Sequence, residues 1–146
     1  MLVHASRLTG LNAQLVQVVQ GVGELMDVAV LEGLRTQSRQ AQLVAAGASK
    51  TMKSKHLTGQ AVDLGVVVGR DVRWDWPLYL KLAEAVQGVA KRLEVPIRWG
   101  GCWSLLNVDQ SPEQLQDAYV ARCKREGRKP FLDGPHFEVV NVAVSA

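Results

Sequence analysis

One apolar run narrows what this chain can build. "AVDLGVVV", Ala61–Val68, carries a carboxylate at Asp63. Short, rich in β-branched residues and bounded by "LTGQ" and Gly69, the run reads as a buried strand. An aspartate there is costly unless it is paired or binds a metal. Seven residues earlier stands His56, one of only three histidines in the chain. On a helix that spacing separates two residues by about 10 Å. On one continuous strand an odd spacing puts them on opposite faces. The two side chains meet only if the chain turns between them, and Gly59 can take the positive φ that such a turn needs. Two outcomes then stay open: a hydrogen bond from Asp63 to His56 or to backbone that holds the loop, or a shared metal ion.

A second cluster lies in "FLDGPHFEVV". Strand alternation puts His136 and Glu138 on one face and Phe137 and Val139 on the other. Glu138 either hydrogen-bonds a ligand histidine or faces solvent. Asp133 precedes His136 by three residues, across a Gly-Pro turn that can aim both side chains at one point. His56, Asp63 and His136 together make two nitrogens and one carboxylate oxygen. That is the three-ligand set of catalytic zinc, which leaves a fourth position to water. Asp133 is then placed as general base beside the site without being a ligand.

These motifs carry a resemblance. "SKHLTGQAVD" fits Ser-x-His-x-x-Gly-x-Ala-x-Asp, and "DGPHFEV" is similar to a second motif with an acid three residues before a ligand histidine. Both resemble the zinc peptidases of the hedgehog/D,D-peptidase fold. "LEGLRTQSRQAQLVAAGAS" and "RWGGCW" resemble that family's Arg-bearing strand end with its helix and its Trp-Gly-Gly-x-Trp segment. The likeness runs from about Leu11 to Val140. The branch it most resembles is the L-alanyl-D-glutamate peptidases that tailed phages use as endolysins.

The resemblance implies Zn2+ on His56, Asp63 and His136, with Asp133 as the base. It also implies that Arg35 stabilises a substrate carboxylate or the developing oxyanion, so that Arg35 serves both catalysis and substrate binding. Ser54 and Trp103 are implied as further substrate contacts. The expected substrate is the stem peptide of peptidoglycan, cut at the L-alanyl-D-glutamate bond. A carboxypeptidase or dipeptidase acting on D-Ala-D-Ala is the alternative, and a metal-binding module without catalysis is a more distant one. Two departures from the family pattern stand out. Cys102 replaces an acid in the Trp-Gly-Gly-x-Trp segment, and a long insert separates Trp103 from Asp133.

The remaining sequence predicts an α+β domain with about four helices and a small, largely antiparallel sheet. Helices are expected over "LNAQLVQVVQGVGELM", with Asn12 as cap and Leu11, Leu15, Val18, Val19, Val22 and Leu25 on one face; over "TQSRQAQLVAAG"; over "WPLYLKLAEAVQGVAKRL"; and over "SPEQLQDAYVARCKREG", with Ser111 as cap and Pro112 at the first helical position. Strands are expected at "VAVLEGL", "AVDLGVVV", "IRW" and "HFEVVNVAV". At 146 residues the chain suits one zinc peptidase domain over 1–146, large enough to fold without a disulfide or structural metal. Cys102 and Cys123 are read as free thiols. Trp74, Trp76, Trp99 and Trp103 read as core or cleft walls, and His4 as part of a frayed terminus.

With 47% hydrophobic residues and no run of 18 apolar ones, the composition is that of a globular protein and excludes membrane insertion through a helix. "MLVHASRLTG" lacks the pattern of a signal peptide. The expectation is therefore a monomer held in the cytoplasm until another protein's membrane lesion releases it to the wall. A net charge of +3 is too small to argue for a nucleic-acid partner. Its densest part, "RCKREGRK" (122–129), is either a solvated helix end or a patch that attracts a polyanion.

Overall fold

The computed structural model describes residues 1–49 and 51–140. The chain forms β1 (Leu2–Val3), α1 (Ala13–Leu25), β2 (Val28–Glu32), α2 (Gln37–Ala45), β3 (Ala61–Val68), β4 (Asp71–Arg73), α3 (Trp76–Leu93), β5 (Ile97–Trp99), β6 (Ser104–Leu105), α4 (Pro112–Arg125) and β7 (His136–Val139). Single turns of 3-10 helix occur at Ala5–Leu8 and Lys55–Thr58. The strands form one sheet in the order β1-β2-β3-β7-β5-β6, with β4 paired to the far half of β3. Among the described residues only β1 runs parallel to its neighbour β2; the other pairs are antiparallel.

Local chemistry sets the helix starts. Asn12 accepts from the Gln14 and Leu15 amides, and Thr36 from the Arg39 amide. Ser111 and Gln114 exchange hydrogen bonds in a capping box, with Pro112 in the first turn. α1 buries Leu15, Val18, Val19 and Val22, and α3 buries Leu82, Ala83, Val86, Val89 and Ala90. Both helices pack on the sheet face that presents Val30, Val62, Leu64, Ile97 and Phe137. Strand alternation then turns Asp63, His136 and Glu138 to the opposite face.

Three expectations change. Leu25 is 66% exposed, because it ends α1 and the following Met26 packs on the core in its place. Trp74 is 63% exposed, standing on the β4–α3 connection rather than in the core or a cleft wall. The N-terminal segment is not frayed at His4: β1 pairs with β2, and Arg7 donates to Val30 O at 3.0 Å. The final strand is observed through Val139; its expected continuation beyond residue 140 lies outside the described residues.

Candidate active site

The site is a row of side chains across three adjacent strands. Asp63 is the Cα partner of His136 on β7 and of Glu32 on β2, so the three share one face. Glu32 reaches that face because of a register shift between Val30 and Glu32. Val30, which pairs with Leu64, faces the core, and an uninterrupted strand would send Glu32 the same way. His56 enters from outside the sheet. Ser54 accepts from the His56 amide at 3.2 Å, which starts the 3-10 turn. Gly59 ends it at φ 72° and returns the chain to β3.

His56 Nε2 lies 3.2 Å from Asp63 Oδ1, and His136 Nδ1 lies 3.5 Å from the same atom. Ligand atoms around a tetrahedral zinc ion, about 2.0–2.2 Å from it, stand about 3.3–3.5 Å apart. Asp63 Oδ1 is buried and makes no hydrogen bond. The outer nitrogens of both rings are already held: His56 Nδ1 is 3.0 Å from Gly33 O, and His136 Nε2 is 2.9 Å from Glu138 Oε1. A proton on each outer nitrogen leaves the inner lone pairs pointing at one spot. The donor set therefore fits a divalent metal, and the cluster is one that can hold such an ion. Glu138 thus faces the site rather than solvent. Removing it frees the His136 ring, so Glu138→Ala is expected to weaken metal affinity about 10- to 100-fold, as measured by competition with a chelator.

The same contacts set how the cluster titrates. Burial acts to raise the Asp63 pKa, but its contacts with His136 and His56 outweigh that and hold the carboxyl well below the usual range. Burial acts to lower His136, while Asp63 and Glu138 lift it to about 9. Asp133 moves the other way: burial first, then the Asp63 charge, push it up from the ordinary carboxylate range. A carboxylate so placed holds a proton better than a free one, as a general base requires.

Asp133 is placed by backbone. Its amide donates to Gly100 O at 2.9 Å, its carbonyl accepts from the His136 amide at 3.2 Å, and the Gly100 amide donates to His136 O at 2.9 Å. A Cβ on Gly100 would lie 2.3 Å from Asp133 O and 3.1 Å from His136 Cβ. Gly100→Ala is therefore expected to cost about 1–3 kcal/mol of stability, read by urea denaturation. Gly134 is equally confined, its missing Cβ facing the Tyr79 ring. Tyr79 was not singled out from the sequence, where it is one apolar-face position of α3. Its hydroxyl is buried without a partner, and its pKa is raised to about 12 by burial and by the Asp133 and Asp63 charges.

The cleft, about 440 Å³, is bordered by this cluster together with Arg35, Ser54, Trp103 and Phe131. Arg35 is held within the protein. Its two-pronged contact is made with Glu32, at 2.8 Å from both Nε and Nη2, rather than held open for a ligand. Nη1 donates to Gln40 at 2.7 Å and to Ser54 Oγ at 3.4 Å. Asp63 Oδ2 lies 3.8 Å from Nη2. The bulge that exposes Glu32 and the burial of Gln40, 0% exposed, had no signal in the sequence. Trp103 adopts φ 52°, unusual for a bulky residue. There it donates to Phe131 O at 2.7 Å, stacks on the Phe131 ring at 6.0 Å and lies 5.3 Å from the His136 ring. Cys102 and Cys123 are free and buried.

Comparisons with known proteins converge. The sequence matches the family model of the phage L-alanyl-D-glutamate peptidases over residues 3–140. It is 40% identical to the L-alanyl-D-glutamate peptidase of Listeria phage A118 over 79 residues, 54% of this chain and 27% of that protein. It is 30% identical over 82 residues to the L-alanyl-D-glutamate peptidase of Escherichia phage T5, 53% of this chain and 60% of that one. The matched segment thus spans less than two thirds of either curated relative. In structure the chain is similar to the Serratia marcescens L-Ala D-Glu endopeptidase ChiX. The TM-score is 0.71 at 32% identity, over 92% of this chain and 84% of that one.

Proposed function

This chain belongs to the phage L-alanyl-D-glutamate peptidase family, and from that premise we propose that it is a zinc-dependent peptidoglycan peptidase. It cuts the stem peptide between L-Ala and D-Glu, and residues 1–146 form one catalytic domain. The observation that carries the reading is the convergence of His56, Asp63 and His136 beside Asp133, in a cleft open to a peptide. Among the described residues no helix is long and apolar enough to cross a membrane.

His56, Asp63 and His136 would hold the zinc, which when bound supplies a Lewis acid for the scissile carbonyl and brings the pKa of a water to about 7. The protein's own groups do the rest. Gly33 O and Glu138 fix the two imidazoles, so the donor atoms need not reorganise during turnover. Asp133 accepts the proton of the attacking water and passes it to the leaving amine. Arg35, fixed by Glu32 and Gln40, presents positive charge at the cleft wall toward the carbonyl oxygen as it becomes negative. Beside it, the Ser54 hydroxyl can donate to the free α-carboxylate of D-Glu, with the Arg35 charge behind it. Trp103, with Phe131 behind it, forms a flat apolar wall for the substrate beside His136.

Mass spectrometry of digested, purified peptidoglycan tests the proposal. The expected products are new D-Glu amino ends and glycan chains that keep lactyl-L-Ala. Release of D-Ala or of the D-Ala-D-Ala dipeptide would assign the cleft to the other bond.

A further inference from the structure

We propose that the basic end of α4 is a docking surface for the anionic wall polymer, and that it feeds the stem-peptide carboxylates into the cleft. The inference rests on the peptidoglycan reading above and adds the surface by which the polymer is approached. Arg122, Lys124, Arg125, Arg128 and Lys129 are all exposed. Arg128 is paired with Glu126, and Arg122 lies over the Tyr119 ring at 5.8 Å. Among the described residues Lys124, Arg125 and Lys129 have no ionic partner. Cations in the last turn of a helix satisfy its carbonyl end, which accounts for Arg122, Lys124 and Arg125. It does not account for Arg128 and Lys129, which lie beyond the helix.

The patch is tied to the cleft by a fixed piece of chain. Cys123 and Tyr119 bury the inner face of α4, and Trp76 donates to Gln116 at 2.9 Å. The Arg128 amide donates to Cys123 O at 2.8 Å, folding the segment after the helix back on it. Tyr119 then holds Phe131 through both main-chain groups: its hydroxyl accepts from the Phe131 amide at 3.0 Å and donates to Phe131 O at 3.5 Å. Phe131 and Asp133 border the cleft. Lys129 is therefore within about 7 Å of chain from the cleft rim. Lys53 and Lys55 stand exposed at the border of the same cleft, so further positive charge lies at its rim. A polymer bearing a carboxylate on every stem peptide is the complementary partner. Such a field raises local substrate concentration and association rate and weakens with salt.

The test compares the wild type with a protein carrying Lys124→Gln, Arg125→Gln and Lys129→Gln. A control carries Arg70→Gln, Lys81→Gln and Arg92→Gln, which removes the same charge from other exposed positions. Each is pelleted with purified sacculi at low and high ionic strength and assayed on a short soluble stem peptide. The patch variant is expected to bind sacculi about tenfold more weakly at low salt. High salt should erase that difference, kcat on saturating soluble peptide should be unchanged, and the control should stay near wild type. Equal binding of patch variant and wild type at low salt overturns the proposal, as does an equal loss in the control, which would make the effect one of net charge. Loss of binding to a short DNA duplex with sacculus binding intact also overturns it and makes the patch a nucleic-acid site. Failure of the wild type to cut the soluble peptide while the patch still governs pelleting counts against the peptidase reading and leaves the docking surface standing.

Discussion

The Asp133→Asn protein is expected to turn over peptidoglycan about 10²- to 10⁴-fold more slowly than wild type, with metal content and melting temperature unchanged. The substitution keeps the size of the side chain and removes its ability to take a proton. The backbone bonds from Asp133 to Gly100 and His136 involve no side-chain atom, so the turn that carries His136 keeps its shape. Asp133 also stands outside the group of atoms that converge as ligands, so the metal should stay. The loss should fall mainly on kcat, because the proton moves only once substrate is bound. Loss of the ion with hydrolysis per bound ion retained would instead make Asp133 part of the metal's coordination.

Removing a ligand should have the largest effect of all. His136→Ala is expected to abolish stoichiometric metal binding and reduce hydrolysis to background, as is treatment of the wild type with a strong chelator. Two donors, one of them a carboxylate, do not make a closed catalytic site. The fold should survive both treatments. The core formed by α1, α3 and the sheet lies on the opposite face and does not include the ligands, and a domain of this size buries enough surface to fold without a metal. Metal analysis, circular dichroism and activity on one sample separate the two outcomes. Hydrolysis that persists in the chelated protein would remove the metal from the mechanism.

The parts of the molecule legible in the sequence are those whose cause is local. Asn12 and the Ser111-Pro112 pair mark helix starts through bonds made within three residues. β3 matches its apolar run because both of its edges are paired. The convergence of His56, Asp63 and His136 was legible because the Gly59 turn and the His136–Glu138 alternation are each local. The rest depends on pairing between distant segments. β1, β4 and β6 are two or three residues long and owe their extended form to the strands beside them. The fork of Arg35 belongs to Glu32 only because a bulge in β2 turns Glu32 outward, and no residue type in "VAVLEGL" announces a bulge. Trp74 and Leu25 carry apolar side chains into solvent at chain turns, where hydrophobicity alone predicts burial.

β7 is the last described strand in the sequence and one of the middle strands in space, set between β3 and β5. This gives the protein a built-in order of assembly. A growing chain that has made β2, β3 and the His56 turn holds two of the three donors proposed for the metal and not the proposed base, and its sheet lacks the strand that joins its halves. Asp133, His136 and Glu138 then arrive within six residues of one another. Hydrolytic competence and closure of the sheet are therefore expected to come in one step, when this segment is added. Fragments that end before β7 should be neither partly active nor durably folded.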